Sequence, residues 1–148
     1  MIDLAQAQQI RAALDERWPI RQKLSVGAEA IRAYARVRWV MARNDLGRAV
    51  EILRGASGSE GSYGLEEQLV GVRLGRAVTR TLRVLPTDSR CLMQTLVLLD
   101  LLAHRGIAAT VVIGVQASPD FKAHAWLETG GMTLLWNGGP EYERLLEL

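Results

Sequence analysis

The sequence predicts an α+β fold in which N-terminal helices and a central cysteine-bearing helix pack on a small antiparallel sheet. Apolar residues recur with helical spacing in the first 104 residues, whereas strand-like patterns rich in Val and Ile are confined to residues 107–137. Helices followed by strands along the chain are typical of this class. The 148 residues, 49% apolar and 23% charged, fit one globular domain over 1–148.

The composition argues against several functional classes. A net charge of +2 is too small to indicate nucleic-acid binding. No apolar run approaches the roughly 20 residues of a membrane span, and Asp3 lies where a signal peptide carries positive charge. A single cysteine excludes an intramolecular disulfide and a multi-cysteine zinc site. We therefore expect a cytoplasmic protein with no cofactor, no metal and no nucleic-acid partner.

Residues 1–54 are predicted to form a helical N-terminal part. A first helix over 3–17 ends before Pro19, and a second spans 28–43. Asn44 or Asp45 caps a third helix that ends at Leu53. The glycine- and serine-rich segment 55–64 is expected to be a flexible surface loop. The apolar side of the second helix is predicted to contain Ile31, Tyr34, Val37, Val40 and Met41.

Residues 65–148 are predicted to form the core, beginning with a helix over 65–85 that Pro86 ends. Gly71 and Gly75 would let another helix approach it closely. The arginines of this helix form a run of like charge, which is usually a solvated face. The alternative is a docking surface for an acidic peptide or partner. Four arginines fall within about a quarter turn of this helix, namely Arg73, Arg76, Arg80 and Arg83.

The central helix is predicted over 91–104, because apolar residues occupy nearly its whole circumference. Residues 87–89, which are Thr, Asp and Ser, suit its N-cap, and Gly106 ends it. Asp100 and His104 lie four residues apart near its C-terminus, and we interpret both as structural.

A core strand is predicted over 107–116, followed by a hairpin of residues 123–129 and 132–137 around Gly130-Gly131. A two-residue turn pairs Thr129 with Met132, and counting outward places Asn137 opposite His124 on one sheet face. The tail, residues 141–148, is predicted to be a short helix.

Cys91 lies where the central helix begins. A lone cysteine on an apolar helix is usually a small buried hydrophobe. In the first turn, however, unpaired N–H groups and the positive end of the helix dipole favour a thiolate. Cys91 as nucleophile, His124 as base and Asn137 as orienter would form a triad of the papain type.

Alternatives remain open for each of these strand residues. His124 is also compatible with a half-buried structural histidine, and Asn137 with the start of a turn. Glu128 lies on the same strand face as His124 and is a second candidate orienter if the hairpin turn is longer than two residues. Trp126 shares that face and would wall a substrate groove, although a large aromatic is more often core.

The motifs from Cys91 to Glu128 resemble those of the transglutaminase-like leader peptidases of lasso-peptide biosynthesis. The segments Cys91-Leu-Met-Gln-Thr-Leu, Leu101-Leu-Ala-His-Arg-Gly106 and Val112-Ile-Gly-Val115 precede His124-Ala-Trp-Leu-Glu128. The likeness covers about residues 36–137 and is strong from Cys91 to Glu128. It implies that residues 65–148 form a transglutaminase-like peptidase core, with Cys91 as nucleophile and His124 as base. The family's third member is usually Asp, where this chain offers Asn137.

By this resemblance, the chain would cut the leader from a ribosomally made lasso-peptide precursor, so that a separate lasso cyclase can close the ring. Some members carry a fused leader-recognition domain. This chain is too short to hold one, which implies a separate leader-recognition protein as partner. Acyl transfer of the transglutaminase type and a non-catalytic peptide-binding maturation subunit are the alternatives.

Overall fold

The computed structural model describes residues 3–15, 17–55, 64–85, 90–135 and 142–148. Five helices and four strands lie within these ranges. The helices are α1 (Leu4–Asp15), α2 (Ile20–Met41), α3 (Leu46–Arg54), α4 (Leu65–Leu82) and α5 (Arg90–Ala103). The strands are β1 (Thr110–Gln116), β2 (Lys122–Thr129), β3 (Met132–Leu134) and β4 (Glu143–Glu147).

The four strands form one antiparallel sheet in the order β3-β2-β1-β4. Helix α5 lies at the centre of the helical layer, and every residue from Thr95 to Leu102 is buried. Its apolar side chains share one core cluster with Val111 of β1 and Leu127 of β2. The predicted α+β class and the buried central helix are therefore confirmed.

Helix α2 is longer than the sequence pattern indicated. It begins at Ile20, directly after Pro19, because a proline at the helix start loses no intrahelical hydrogen bond. The buried face of α2 includes Val37 and Val40, as predicted. Ile31, predicted for the same face, is instead 52% exposed.

The N-cap of α3 and the glycines of α4 show how local sequence sets close packing. Asp45 caps α3 by accepting a hydrogen bond from the backbone N–H of Arg48 at 2.9 Å, which confirms the predicted cap. A Cβ on Gly71 would lie 2.8 Å from Cδ1 of Leu134. A Cβ on Gly75 would lie 3.6 Å from Cδ2 of Leu98 in α5. Gly71 therefore allows strand β3 to approach, and Gly75 allows another helix, α5, to approach as predicted.

The predicted C-terminal helix is wrong, because residues 143–147 form strand β4. The backbone groups of Val111 and Leu148 exchange two hydrogen bonds of 2.8 Å, which extends the ladder beyond β4. Arg54 donates to the carbonyl of Leu148 at 2.6 Å and to that of Ala109 at 3.2 Å. Pairing along the edge of β1 thus outweighs the weak helical preference of this short segment.

The predicted surface loop falls largely on residues 56–63, and the predicted N-cap of α5 on residues 87–89. Both stretches lie outside the described residues. Among the helices of the described ranges, none combines the length and apolarity that crossing a membrane requires.

Candidate active site

Cys91 is the second residue of α5 and is half-buried. Its backbone carbonyl accepts a hydrogen bond of 2.8 Å from the hydroxyl of Thr95, one turn further along α5. The same hydroxyl oxygen lies 3.1 Å from the carbonyl oxygen of Ala125 in β2. Thr95 therefore holds the first turn of α5 against β2 at the residue next to His124.

This contact lies along β2 beyond the residues that pair with β3. Strand β3 ends at Leu134, opposite Leu127, so it does not pair with the part of β2 that carries His124 and Ala125. The hydroxyl of Thr95 lies beside that part of β2. His124 and Leu127 alternate between opposite faces of β2, so the contact with the start of α5 is made through the β2 backbone beside His124.

We expect Thr95→Val to lower the free energy of unfolding by about 1–2 kcal/mol, because the one hydroxyl proton that the carbonyls of Cys91 and Ala125 share is lost. It should also slow turnover, because the first turn of α5 loses its attachment to β2. Thr79→Val is the matched control for stability, since the Thr79 hydroxyl bonds within α4, to the carbonyl of Gly75 at 2.9 Å. Equal denaturation midpoints for the two variants would contradict this role of Thr95.

His124 is half-buried and lies between two aromatic rings. The Trp126 ring is stacked on it with centroids 6.0 Å apart, and the Tyr142 ring is tilted against it at 5.6 Å. Burial lowers the pKa of His124 below 6.5, and a hydrogen bond with the backbone of Leu135 acts in the opposite direction without cancelling the effect. His124 is therefore neutral at pH 7, as a general base requires.

The predicted hairpin register is confirmed for three pairs around the Gly130-Gly131 turn, in which both glycines have positive φ. The fourth pair, Trp126 with Leu135, is wrong, because Leu135 leaves the ladder with φ of +61°. This left-handed conformation costs a leucine about 1–2 kcal/mol. It turns the chain so that the Leu135 backbone meets the ring of His124. Asn137 lies outside the described residues, so its place opposite His124 stays a prediction.

Glu128 is engaged with groups other than His124. Its Oε1 accepts from the indole N–H of Trp126 at 3.0 Å and from Arg144 at 2.5 Å. Glu128 lies four residues along the strand from His124, about 13 Å at 3.3 Å per residue, and Trp126 lies between them in sequence. Glu128 therefore holds the ring that stacks on the imidazole.

Gly114 provides the space for that indole. It pairs with His124 across the β1–β2 ladder, and a Cβ here would lie 2.6 Å from the Trp126 ring. The same Cβ would lie 3.1 Å from the backbone oxygen of Glu143 in β4. Trp126 is only 3% exposed, so its ring has little room to move away.

We expect Gly114→Ala to lower the free energy of unfolding by about 1–3 kcal/mol, the usual cost of overpacking a core. It should also lower turnover by displacing the ring beside His124. Gly27→Ala in α2 is the control, because nothing lies within 4 Å of its new Cβ, and helix propensity should raise stability by up to about 1 kcal/mol. Denaturant unfolding checks both, and a Gly114→Ala variant as stable as wild type would contradict this packing.

Comparison with protein-family models decides the family. The model of the transglutaminase-like superfamily matches residues 31–146, from α2 to β4. The chain belongs to the transglutaminase-like superfamily. Searches of curated proteins and of solved structures found no match. Membership indicates cysteine peptidase or acyltransferase chemistry for this transglutaminase-like chain, because domains of this superfamily are commonly catalytic.

Two cavities of this transglutaminase-like domain adjoin the candidate site. One, of about 740 Å³, is lined by Trp126, Glu128, Tyr142 and Arg144 together with residues of α1 and α4. The other, of about 700 Å³, lies between α4 and β3 and reaches Leu135. Part of the predicted arginine stripe borders this cavity and is exposed, which agrees with a solvated face and leaves a docking role untested. The arginines that line the second cavity are Arg76, Arg80 and Arg83.

Sequence reasoning missed Thr95, Leu135 and Tyr142. Threonine within an apolar helix gives no sign of a partner on a strand, and nothing in a leucine side chain predicts positive φ. Tyr142 contacts His124 because β4 pairs with β1. The sequence predicted a helix for this C-terminal segment, so the contact was not expected. The single signal that would have helped is the unpaired edge of β1, which needs a partner strand.

Proposed function

We propose that this transglutaminase-like chain is a cysteine peptidase that removes the leader from a lasso-peptide precursor. The observation that carries the proposal is the hydroxyl of Thr95, which binds the carbonyls of Cys91 and of Ala125, the residue beside His124. Superfamily membership supports the thiol chemistry. The motif from His124 to Glu128, with its likeness to leader peptidases, supports the choice of substrate.

In the first half of the reaction, His124 takes the proton of the Cys91 thiol. The sulfur attacks the carbonyl carbon at the junction of leader and core, forming a tetrahedral intermediate. The protonated imidazole then gives its proton to the leaving amine as the C–N bond breaks. The core departs with a free amine, and the leader remains as a thioester on Cys91.

In the second half, His124 accepts a proton from water, which attacks the thioester carbonyl. The C–S bond breaks, the leader leaves with a free carboxylate, and the thiol regains its proton. The negative oxygen of each tetrahedral intermediate needs hydrogen-bond donors. The backbone N–H of Cys91 is the proposed first donor, because N–H groups in the first turn of a helix lack intrahelical acceptors.

The cavity between α4 and β3 is the proposed path of the peptide beside the site. It ends at Leu135, whose backbone contacts His124, and its volume is within the usual range for ligand sites. Arg80 and Arg83, which also line it, favour acidic residues in the bound segment. Trp126, proposed as a substrate-binding residue, is buried and would act mainly by holding the imidazole.

A separate leader-recognition protein and a lasso cyclase are the proposed partners. The test mixes the protein with a precursor peptide and a recognition protein and follows the products by mass spectrometry. We expect free leader with a carboxylate end, together with intact core. A precursor that stays whole under these conditions would contradict the proposal.

Acyl transfer is the second candidate, because superfamily membership supports it equally. An amine would replace water at the thioester, and the leader mass would then increase by the mass of that amine less water. A non-catalytic peptide-binding subunit would yield neither product. The same mass spectrum therefore separates the three functions.

The proposed orienter of His124 is tested by Asn137→Ala. We expect turnover to fall on the order of 10-fold or more, as in other triads that lose this member. Glu128→Gln is the companion variant, and it should act through Trp126 and Arg144 instead. If Asn137→Ala turns over as fast as wild type, the orienting role passes to the Leu135 backbone.

A further inference from the structure

Helix α2 is apolar on two opposite faces. One face enters the core and is formed by Val26, Ala30, Ala33, Val37 and Val40. At 3.6 residues per turn, a second set of apolar residues spans about 100° of arc on the other side of the helix. All members of this second set are exposed. We call them the α2 stripe: Ile20, Leu24, Ala28, Ile31, Ala35 and Trp39.

The exposure of the α2 stripe is large for side chains of this kind. Ile20 is 74% exposed, Leu24 69% and Trp39 59%. The 22-residue helix is about 33 Å long at 1.5 Å per residue, and the stripe follows it from end to end. A contiguous apolar surface of this length is typical of an interaction site rather than of scattered surface leucines. None of the six residues lines either cavity described above.

Charges beside the α2 stripe are of one sign. Arg21 and Arg32 border one side of it, and Lys23 and Arg38 the other. Arg43 lies over the ring of Trp39 at 4.4 Å, at the C-terminal end. The only acidic residue of α2 is Glu29, and it is paired with Arg105 at 2.8 Å. The apolar stripe therefore has a basic border.

We infer that the α2 stripe docks an amphipathic helix of another protein, with Leu- or Ile-type residues on its apolar face and Asp or Glu beside them. An apolar face of helical length fits another helix, whose residues would pack at i, i+3, i+4 and i+7. The basic border selects acidic flanks and repels basic ones. A second copy of this chain fits poorly, because pairing two α2 stripes would place arginines against arginines.

This inference does not depend on the proposed peptidase function. The α2 stripe lies on the face of α2 that points away from the core and from α5, which carries Cys91. Binding can therefore be measured whether or not the chain cuts peptides. A chain with an inert Cys91 would still show it.

The test uses two fluorescein-labelled 21-residue synthetic helices with identical Leu and Ile positions. One carries Glu at the flanking positions and the other carries Lys. We expect fluorescence anisotropy to show at least about 10-fold tighter binding of the Glu peptide, with affinity falling as salt rises. Equal affinities for the two peptides would overturn the inference.

The variant Leu24→Gln with Ile31→Gln should weaken binding of the Glu peptide at least about 10-fold, because the centre of an interface carries most of its energy. Val84→Gln with Phe121→Gln is the matched control, since these residues are 82% and 74% exposed but lie outside α2. Thermal unfolding should be unchanged in both, because all four side chains are exposed. Binding that survives in the Leu24 and Ile31 variant would overturn the inference.

Sedimentation of the protein alone completes the test. We expect a monomer at concentrations where the Glu peptide is bound. A dimer that dissociates in the variant with Leu24→Gln and Ile31→Gln would overturn the inference, because the α2 stripe would then bind a second copy of the chain.

Discussion

Cys91→Ala is expected to reduce release of the leader by at least about 10⁴-fold, the scale seen when a nucleophile is removed from a triad. The chain has a single cysteine, so no other thiol can form the thioester. Mass spectrometry of the precursor reaction measures the loss directly. With wild type, a brief reaction quenched in acid should also show a leader adduct on Cys91.

The control for this variant is its fold. Cys91 is half-buried and its backbone carbonyl keeps the bond from Thr95, so Cys91→Ala should unfold within a few degrees of wild type. Cleavage by a correctly folded Cys91→Ala protein at the wild-type rate would remove the basis of the thiol mechanism.

His124→Gln is expected to lower turnover by at least about 10³-fold, because general-base and general-acid transfer are both lost. Glutamine retains hydrogen-bonding groups for the Leu135 backbone, so packing between Trp126 and Tyr142 should largely persist. Steady-state kinetics with a labelled precursor checks the result. A variant with more than a tenth of the wild-type turnover would contradict a base role for His124.

The lowered pKa of His124 sets the sign of the pH dependence. The neutral base persists below pH 6.5, so wild-type kcat/KM should hold to more acidic pH than an exposed histidine allows and then fall. The stability of the fold changes with pH in the same direction. Below pH 6.5 the unfolded chain takes up a proton that native His124 resists. The free energy of unfolding therefore decreases as the pH is lowered, until native His124 is also protonated.

The sequence predicted the parts of the site that depend on strong local patterns. The apolar circumference of α5 indicated a buried helix headed by Cys91, and Gly130-Gly131 specified the hairpin turn. The register therefore held for the pairs nearest the turn, from Thr129 to Leu127. Prediction failed where Leu135 leaves the strand, because no local pattern in the sequence indicates positive φ in a leucine.

Long-range contacts explain the two remaining errors, at the C-terminal segment and at Ile31. Residues 143–147 have no alternation that would indicate a strand, and they become one because β1 offers an open edge.

Ile31 was predicted for the core because its spacing fits an apolar helix face. Helix α2 has two such faces, and periodicity alone does not identify which of them the rest of the chain covers.

Proton sharing between Cys91 and His124 is tested most directly by the rate at which iodoacetamide alkylates Cys91 as pH is varied. The account predicts that at pH 6 wild type reacts at least about 10-fold faster than His124→Gln, because the neutral imidazole takes the thiol proton. The two proteins should converge at alkaline pH. Identical rates for wild type and His124→Gln across the whole pH range would show that the thiol and the imidazole do not meet.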